Sequence, residues 1–258
     1  MLTVQDLTIR TREKVLIAEL SMMIQPGQSW FVYGANGTGK STMMRALAGF
    51  RNLQLDGITT QGNVLLDGRD LHTISLTQLA RQRAWLPQRL SDTFGWTVFE
   101  TVLSSRYPYH GGLWENEADF VIAEQALRQM DLLHLASRDI RTLSGGERQR
   151  TSIASIIAQD APLILMDEPD AALDLPHRLA LMQFIQGFVA DQRRAVMTIM
   201  HDINMARLAA THVLLLLGDG RWEAGERAQV MTEEKLSQCL HCPIRAVTSH
   251  GDKIFVAG

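Results

Sequence analysis

An α/β fold with a parallel-sheet core is the architecture this sequence predicts, and three observations predict it. Leu163–Met166, Ala195–Met200 and Val213–Leu217 are short, nearly unbroken apolar runs separated by helical stretches, the pattern of strands buried on both faces. Ahead of them, Ser29–Tyr33 is a short apolar strand that runs into a glycine-rich loop. Between the two, from about Gln88 to Asp160, apolar residues such as Phe120, Ala123, Leu127 and Met130 recur at helical intervals with no convincing strand. The expectation is a single domain over residues 1–258, with a core over 1–87 and 161–258 and a helical subdomain over 88–160.

In chain order, Leu2–Ile9 and Val15–Ile24 alternate partly with period two and read as antiparallel strands, the start of an N-terminal antiparallel β subdomain. Pro26-Gly27 makes a turn into the Ser29–Tyr33 strand, and Ser41–Phe50 reads as the helix behind the loop. A further strand pair centres on Val64–Leu66, followed by the hairpin signal Asp67-Gly68. No internal repeat or low-complexity linker is present.

Composition narrows the function. With 46% hydrophobic and 21% charged residues the chain has the balance of a soluble globular protein. A net charge of −3 gives no reason to expect a nucleic-acid partner. No apolar run approaches the ~20 residues that span a bilayer, and Met1–Lys14 lacks the apolar core of a signal peptide. A cytoplasmic protein is expected, with any membrane role supplied by a partner. Cys239 and Cys242 have no convincing companion ligands and read as reduced thiols on or near a helix. The 12 methionines, Met22, Met43 and Met197 among them, fall at apolar positions and read as core filling.

Gly34-Ala35-Asn36-Gly37-Thr38-Gly39-Lys40-Ser41 matches G-x-x-x-x-G-K-[ST] between a strand and a helix. Glycines let backbone N–H groups converge on a phosphate, and the following helix points its positive end at the same anion. The candidate contacts are Gly34, Asn36, Gly37, Thr38, Gly39, Lys40, Ser41 and Thr42, with Lys40 on the β- and γ-phosphates and the Ser41 hydroxyl on Mg²⁺.

The Leu163–Met166 run ends in Asp167-Glu168-Pro169, and adjacent acids at the end of a buried strand need a reason, since an unpaired carboxylate is costly to desolvate. In a phosphate-loop enzyme the first acid, Asp167, serves Mg²⁺, usually through water. Glu168, at the strand's end, is then the general base that polarises the attacking water. His201 follows the next apolar run and is expected at the same sheet edge, on the γ-phosphate.

Leu143-Ser144-Gly145-Gly146-Glu147-Arg148-Gln149-Arg150 resembles the LSGGQ-type signature of ABC ATPases, with Glu147 in place of the usual glutamine. The other family elements stand in the expected order: Lys40, a Q-loop glutamine at Gln88, the signature, Asp167-Glu168, a D-loop at Ala172-Leu173-Asp174, and His201. The resemblance covers essentially the whole chain. It implies a RecA-like core and an ATPase working with ATP and Mg²⁺. In such a homodimer, Ser144, Gly145 and Gly146 of each subunit close over the other's nucleotide. It also implies that Gln88 links Mg²⁺ or the attacking water to the helical subdomain, where an integral-membrane permease docks. Ser144 is independently expected to cap a helix running to about Ala158. In one respect the chain departs from the family pattern. Arg10-Thr11-Arg12-Glu13-Lys14 carries no aromatic residue for adenine, which leaves Arg10, Arg12 or aliphatic contacts.

Leu79-Ala80-Arg81 leading to Leu86-Pro87-Gln88, then Ser105-Arg106-Tyr107-Pro108-Tyr109, and His201-Asp202-Ile203-Asn204-Met205-Ala206, resemble the subunits that power uptake of iron–siderophores, haem and cobalamin. The implied partners are a permease dimer and, indirectly, a periplasmic or lipoprotein substrate-binding protein, with the ATPase on the cytoplasmic face of the inner membrane. The rival reading is a soluble ATPase of the same family, such as an Fe–S assembly subunit of similar length.

Overall fold

The computed structural model describes residues 1–50, 53–88, 95–110, 116–249 and 252–258. In chain order it begins β1 (Leu2–Arg10), β2 (Val15–Ile24), β3 (Ser29–Gly34), α1 (Lys40–Leu47), β4 (Thr59–Leu66) and β5 (Arg69–Asp70). Next come α2 (Leu76–Gln82), β6 (Arg83–Leu86), α3 (Val98–Ser104), α4 (Glu117–Gln129), α5 (Gly145–Gln159), β7 (Leu163–Asp167) and α6 (Leu175–Ala190). The chain ends with β8 (Ala195–Ile199), α7 (Ala206–Ala209), β9 (His212–Leu216), β10 (Trp222–Glu226), α8 (Arg227–Val230), α9 (Glu233–Leu240), β11 (Ile244–Ser249) and β12 (Asp252–Ala257). These elements form two compact units, Met1–Ile74 with Met182–Gly258, and Ser75–Leu181.

In the first unit, β1 pairs antiparallel with β2 and with β4, which bears out the N-terminal antiparallel expectation. Beside this sheet stand β10, β9, β3 and β8 in that order, with β3 parallel to both β8 and β9. Burial explains why β3 and β8 read as unbroken apolar runs: Trp30 through Tyr33 and all of Ala195–Ile199 are buried. The helix expected over Ser41–Phe50 begins one residue earlier and ends at Leu47, because Gly49 turns left-handed at φ 81° just beyond its cap. The C-terminal stretch also carries more structure than its sequence suggested, with β10 antiparallel to β9 and a hairpin of β11 and β12. Cys239 lies on α9, its thiol pushed up to about 11 by burial, and Cys242 follows two residues after that helix.

In the second unit, β6 and β7 pair in parallel, Arg83 opposite Leu163 through Leu86 opposite Met166. Helices α3, α4 and α5 pack on one another around Val98, Val102, Ala123, Leu127 and Ile153. A buried ion pair ties them together. Arg106, just after α3, donates through Nε to Asp119 on α4 across 2.9 Å and through Nη1 to the carbonyl oxygen of Ala158 on α5. The helices α3, α4 and α5 of the expected insertion fall in this unit, which also takes in β6 and β7.

Candidate nucleotide site

The phosphate loop grows directly out of β3. Gly37 and Gly39 have φ of +78° and +99°, left-handed geometry that a Cβ resists. A Cβ on Gly39 would also sit 3.0 Å from the Cβ of Leu16. Gly39 is the N-cap of α1 and offers no side chain to the first-turn N–H groups. That helix end is therefore open to an anion, with the positive end of the peptide dipoles behind it. At Gly37 a Cβ would meet nothing within 4 Å, so the loop's outer face is open as well.

Lys40 is buried at 6% exposure and its Nζ donates to the carbonyl oxygens of Gly34 and Ala35, at 2.7 and 3.1 Å. These bonds fold the charge back onto the loop that a phosphate would occupy. Thr38 is buried and closes the same turn through Oγ1 to Ala35 O at 3.0 Å, while Ser41 and Thr42 are half-buried and Asn36 is exposed. Sequence reasoning missed a second cation: Lys14, at the β1–β2 turn, donates from Nζ to the carbonyl oxygen of Gly37 at 3.2 Å. It lies in the stretch searched for an aromatic residue, and no local sequence signal separates it from Arg10 or Arg12.

His201 is exposed and comes two residues after β8. Because Val32 pairs with Ile199, the phosphate loop and His201 leave adjacent strands at the same edge. The backbone here is anchored by Met200 N–H to Val32 O and by the Tyr33 hydroxyl to Asp202 O at 3.1 Å.

The second unit brings Gln88 and Glu168 together. Leu86 opposes Met166 in the β6–β7 pair, so both residues follow this pair by two positions, and Gln88 Nε2 donates to Glu168 Oε2 across 2.7 Å. Glu168 has φ +52°, a conformation that costs a residue with a Cβ roughly 1–2 kcal/mol. Strain of this kind concentrates at functional positions. Asp167 ends β7 fully inside, at 2% exposure. The signature helix α5 starts at Gly145 with Ser144 as its N-cap. Glu147 N–H donates to Ser144 Oγ at 3.3 Å, and Ser144 N–H donates back to Glu147 Oε2 at 2.7 Å. The hydrogen bonds from Ser144 hold the Glu147 carboxyl below its ordinary range. Glu147, standing where the signature resemblance expects glutamine, thus completes a charged capping box. Gly145 has open space where a Cβ would be, and a Cβ on Gly146 would approach the Ala172 carbonyl oxygen at 3.1 Å.

A lysine folded back onto its loop, in the first turn of a helix whose N-terminus has no side-chain cap, suits one guest above others, the polyphosphate of a nucleotide. The fold and site define a phosphate-loop nucleotide-binding protein. The ABC transporter family profile matches residues 17–171. The chain is 36% identical over 262 residues to the hemin import ATP-binding protein HmuV of Burkholderia ambifaria, covering 96% of this chain and 95% of that one. It is 34% identical over 234 residues to the petrobactin import ATP-binding protein FpuD of Bacillus anthracis, covering 90% and 84%. A chain of a solved ABC transporter in an inward-facing conformation, described as of metal-chelate type, superimposes with a TM-score of 0.81 at 27% identity, covering 99% and 96%. A dimeric ATP-binding cassette in a post-hydrolysis state, bound to ADP and phosphate, gives 0.72 at 26% identity, covering 86% and 98%. This chain belongs to the ABC transporter family and is one of its ATP-binding, ATP-hydrolysing subunits. Among the described residues, no helix is long and apolar enough to cross a membrane.

Proposed function

We propose that the chain powers a bacterial importer of a metal chelate, an iron–siderophore, haem or cobalamin, as a homodimer that drives an integral-membrane permease from the cytoplasmic face of the inner membrane. The observation that carries this reading is similarity along nearly the full chain to subunits that import hemin and petrobactin. The dimeric relative supports the paired arrangement. In the proposed dimer, Ser144, Gly145 and Gly146 of one subunit face the other's nucleotide. A substrate-binding protein outside the membrane delivers cargo to the permease and touches this chain only indirectly.

Each residue has a part in hydrolysis. Gly34, Gly37 and Gly39 keep the cradle free of side chains, while Asn36 and Thr38 line it. Lys40 exchanges its two loop carbonyls for β- and γ-phosphate oxygens, and Thr42 adds an N–H from the first turn of α1. Glu168 takes a proton from water as the water oxygen bonds to the γ-phosphorus and the bond to the ADP oxygen breaks. Gln88 orients Glu168 through the 2.7 Å bond, and His201 donates to the γ-phosphate. Ser41, Asp167 and Gln88 offer a hydroxyl, a carboxylate and an amide oxygen, an all-oxygen set that fits Mg²⁺. When bound, that ion neutralises charge on the β- and γ-phosphates.

Affinity purification of the tagged chain from detergent-solubilised membranes, with mass spectrometry of its companions, tests the importer reading. A stoichiometric polytopic permease supports it. Recovery only from the soluble fraction with Fe–S assembly factors overturns it and leaves the ATPase chemistry standing.

A further inference from the structure

Within the first unit, the segment after His201 and the hairpin of β11 and β12 help enclose a cavity of about 330 Å³, lined by Ile203, Asn204, Arg207, Arg227, Lys253 and Phe255 among others. That volume lies within the roughly 300–1,000 Å³ of small-molecule sites. Its chemistry is one-sided. Arg207, Arg227 and Lys253 bring three positive charges to the wall, and among the described residues no carboxylate lines it. Like charges around one concavity favour entry of a counter-charge. Ile203 and Phe255, both 9% exposed, supply an apolar wall.

Arg227 uses Nη1 on the carbonyl oxygens of Ala206 and Arg207, and no carboxylate among the described residues pairs with it. Lys253 has its Nζ 5.3 Å from the centre of the Phe255 ring and likewise has no carboxylate partner among them. The walls are fixed by a reciprocal pair. Asn204 Nδ2 donates to Phe255 O at 3.0 Å, and Phe255 N–H donates to Asn204 Oδ1 at 2.9 Å. The C-terminal hairpin is thereby pinned to a residue three positions after His201, so a guest in the cavity touches the segment that carries this histidine.

We propose that this cavity binds a small organic anion, an acid group on an apolar body, with the acid held by Arg227 and Lys253 and the body against Ile203 and Phe255. The inference stands on the cavity alone and is independent of the transport reading. The test titrates the full chain with 8-anilinonaphthalene-1-sulfonate, whose fluorescence reports binding, beside the uncharged N-phenyl-1-naphthylamine. The expected result is saturable binding of one sulfonate per chain, weakened at least about tenfold by Arg227→Gln or Lys253→Gln, with no such change for the uncharged probe. Arg227 also braces two carbonyls, so Lys253→Gln is the cleaner variant, and ATP affinity at the phosphate loop checks that each variant is folded. Unchanged affinity in Lys253→Gln, equal wild-type affinity for the two probes, or displacement of the dye by ATP at the nucleotide's own affinity overturns the proposal.

Discussion

The Gln88 side-chain amide donates to Glu168 Oε2 across 2.7 Å, joining two residues 80 positions apart at the ends of two parallel strands. A carboxylate held by the Gln88 amide and mounted on left-handed backbone has few orientations left, which suits a base that must meet a water at a fixed angle. Glu168→Gln is expected to lower kcat at least about 100-fold while leaving ATP affinity unchanged, since a general base contributes typically that much or more. Gln88→Ala, which removes the donor and keeps the base, should cost about tenfold, the worth of one hydrogen bond. Steady-state hydrolysis beside equilibrium ATP binding decides both, and near-wild-type turnover by Glu168→Gln would remove the base assignment.

Ser144 is the N-cap of its own helix and, in the proposed dimer, a contact for a nucleotide on the second subunit. Ser144→Arg loses the cap, a cost of about 1 kcal/mol, and puts a long side chain at an exposed helix start. ATP binding by the isolated subunit should survive, while ATP-dependent dimerisation and hydrolysis should be lost. Size-exclusion chromatography with and without ATP, on a Glu168→Gln background, reads the outcome. Loss of ATP binding by the monomer would contradict a role across the interface.

Burial on both faces is what made the core legible. Leu163–Met166, Ala195–Ile199 and Val213–Leu216 have no solvent side to interrupt the apolar run, so their strands could be placed from sequence. By contrast, β6 is four residues long, and Arg83 and Trp85 are only half-buried, so it resembles the end of the preceding helix. The weakly buried β10 likewise lacks an apolar run. At the site, the phosphate loop and the Asp167-Glu168 pair were visible because their chemistry is local in sequence. Lys14 on Gly37 and Asn204 on Phe255 were not, because each contact joins segments 23 and 51 residues apart respectively that only the folded chain brings together.

Gly39 and Gly37 separate backbone strain from steric conflict within one loop. Both have positive φ, but only Gly39 would press a Cβ against Leu16, at 3.0 Å. Gly39→Ala should destabilise by about 1–3 kcal/mol and disturb the helix start, combining strain with the clash. Gly37→Ala should cost only about 1 kcal/mol in stability, its Cβ pointing into open space. Urea denaturation midpoints compare the two, and equal losses would mean that the contact with Leu16 relaxes freely.

The buried trio of Arg106, His110 and Asp119 gives the helical unit an acid-sensitive joint. Asp119 is 3% exposed, bonded by Arg106 at 2.9 Å, with His110 Nε2 3.5 Å from its other oxygen. Burial raises its carboxyl pKa, but the Arg106 hydrogen bond, the Asn116 backbone N–H and the charges of His110 and Arg106 outweigh that and leave it below the ordinary value. A carboxyl depressed in the folded state lends stability that is complete above its unfolded pKa, near 4, and is lost as pH falls through the lower folded value. Asp119→Ala leaves the Arg106 guanidinium buried without its partner and should cost about 3 kcal/mol near neutral pH. Denaturation of the wild type and the variant from pH 7 to pH 3 should show the gap between them closing in the acid range. A gap that stays constant with pH would assign the loss to packing alone and remove the ion pair from the account.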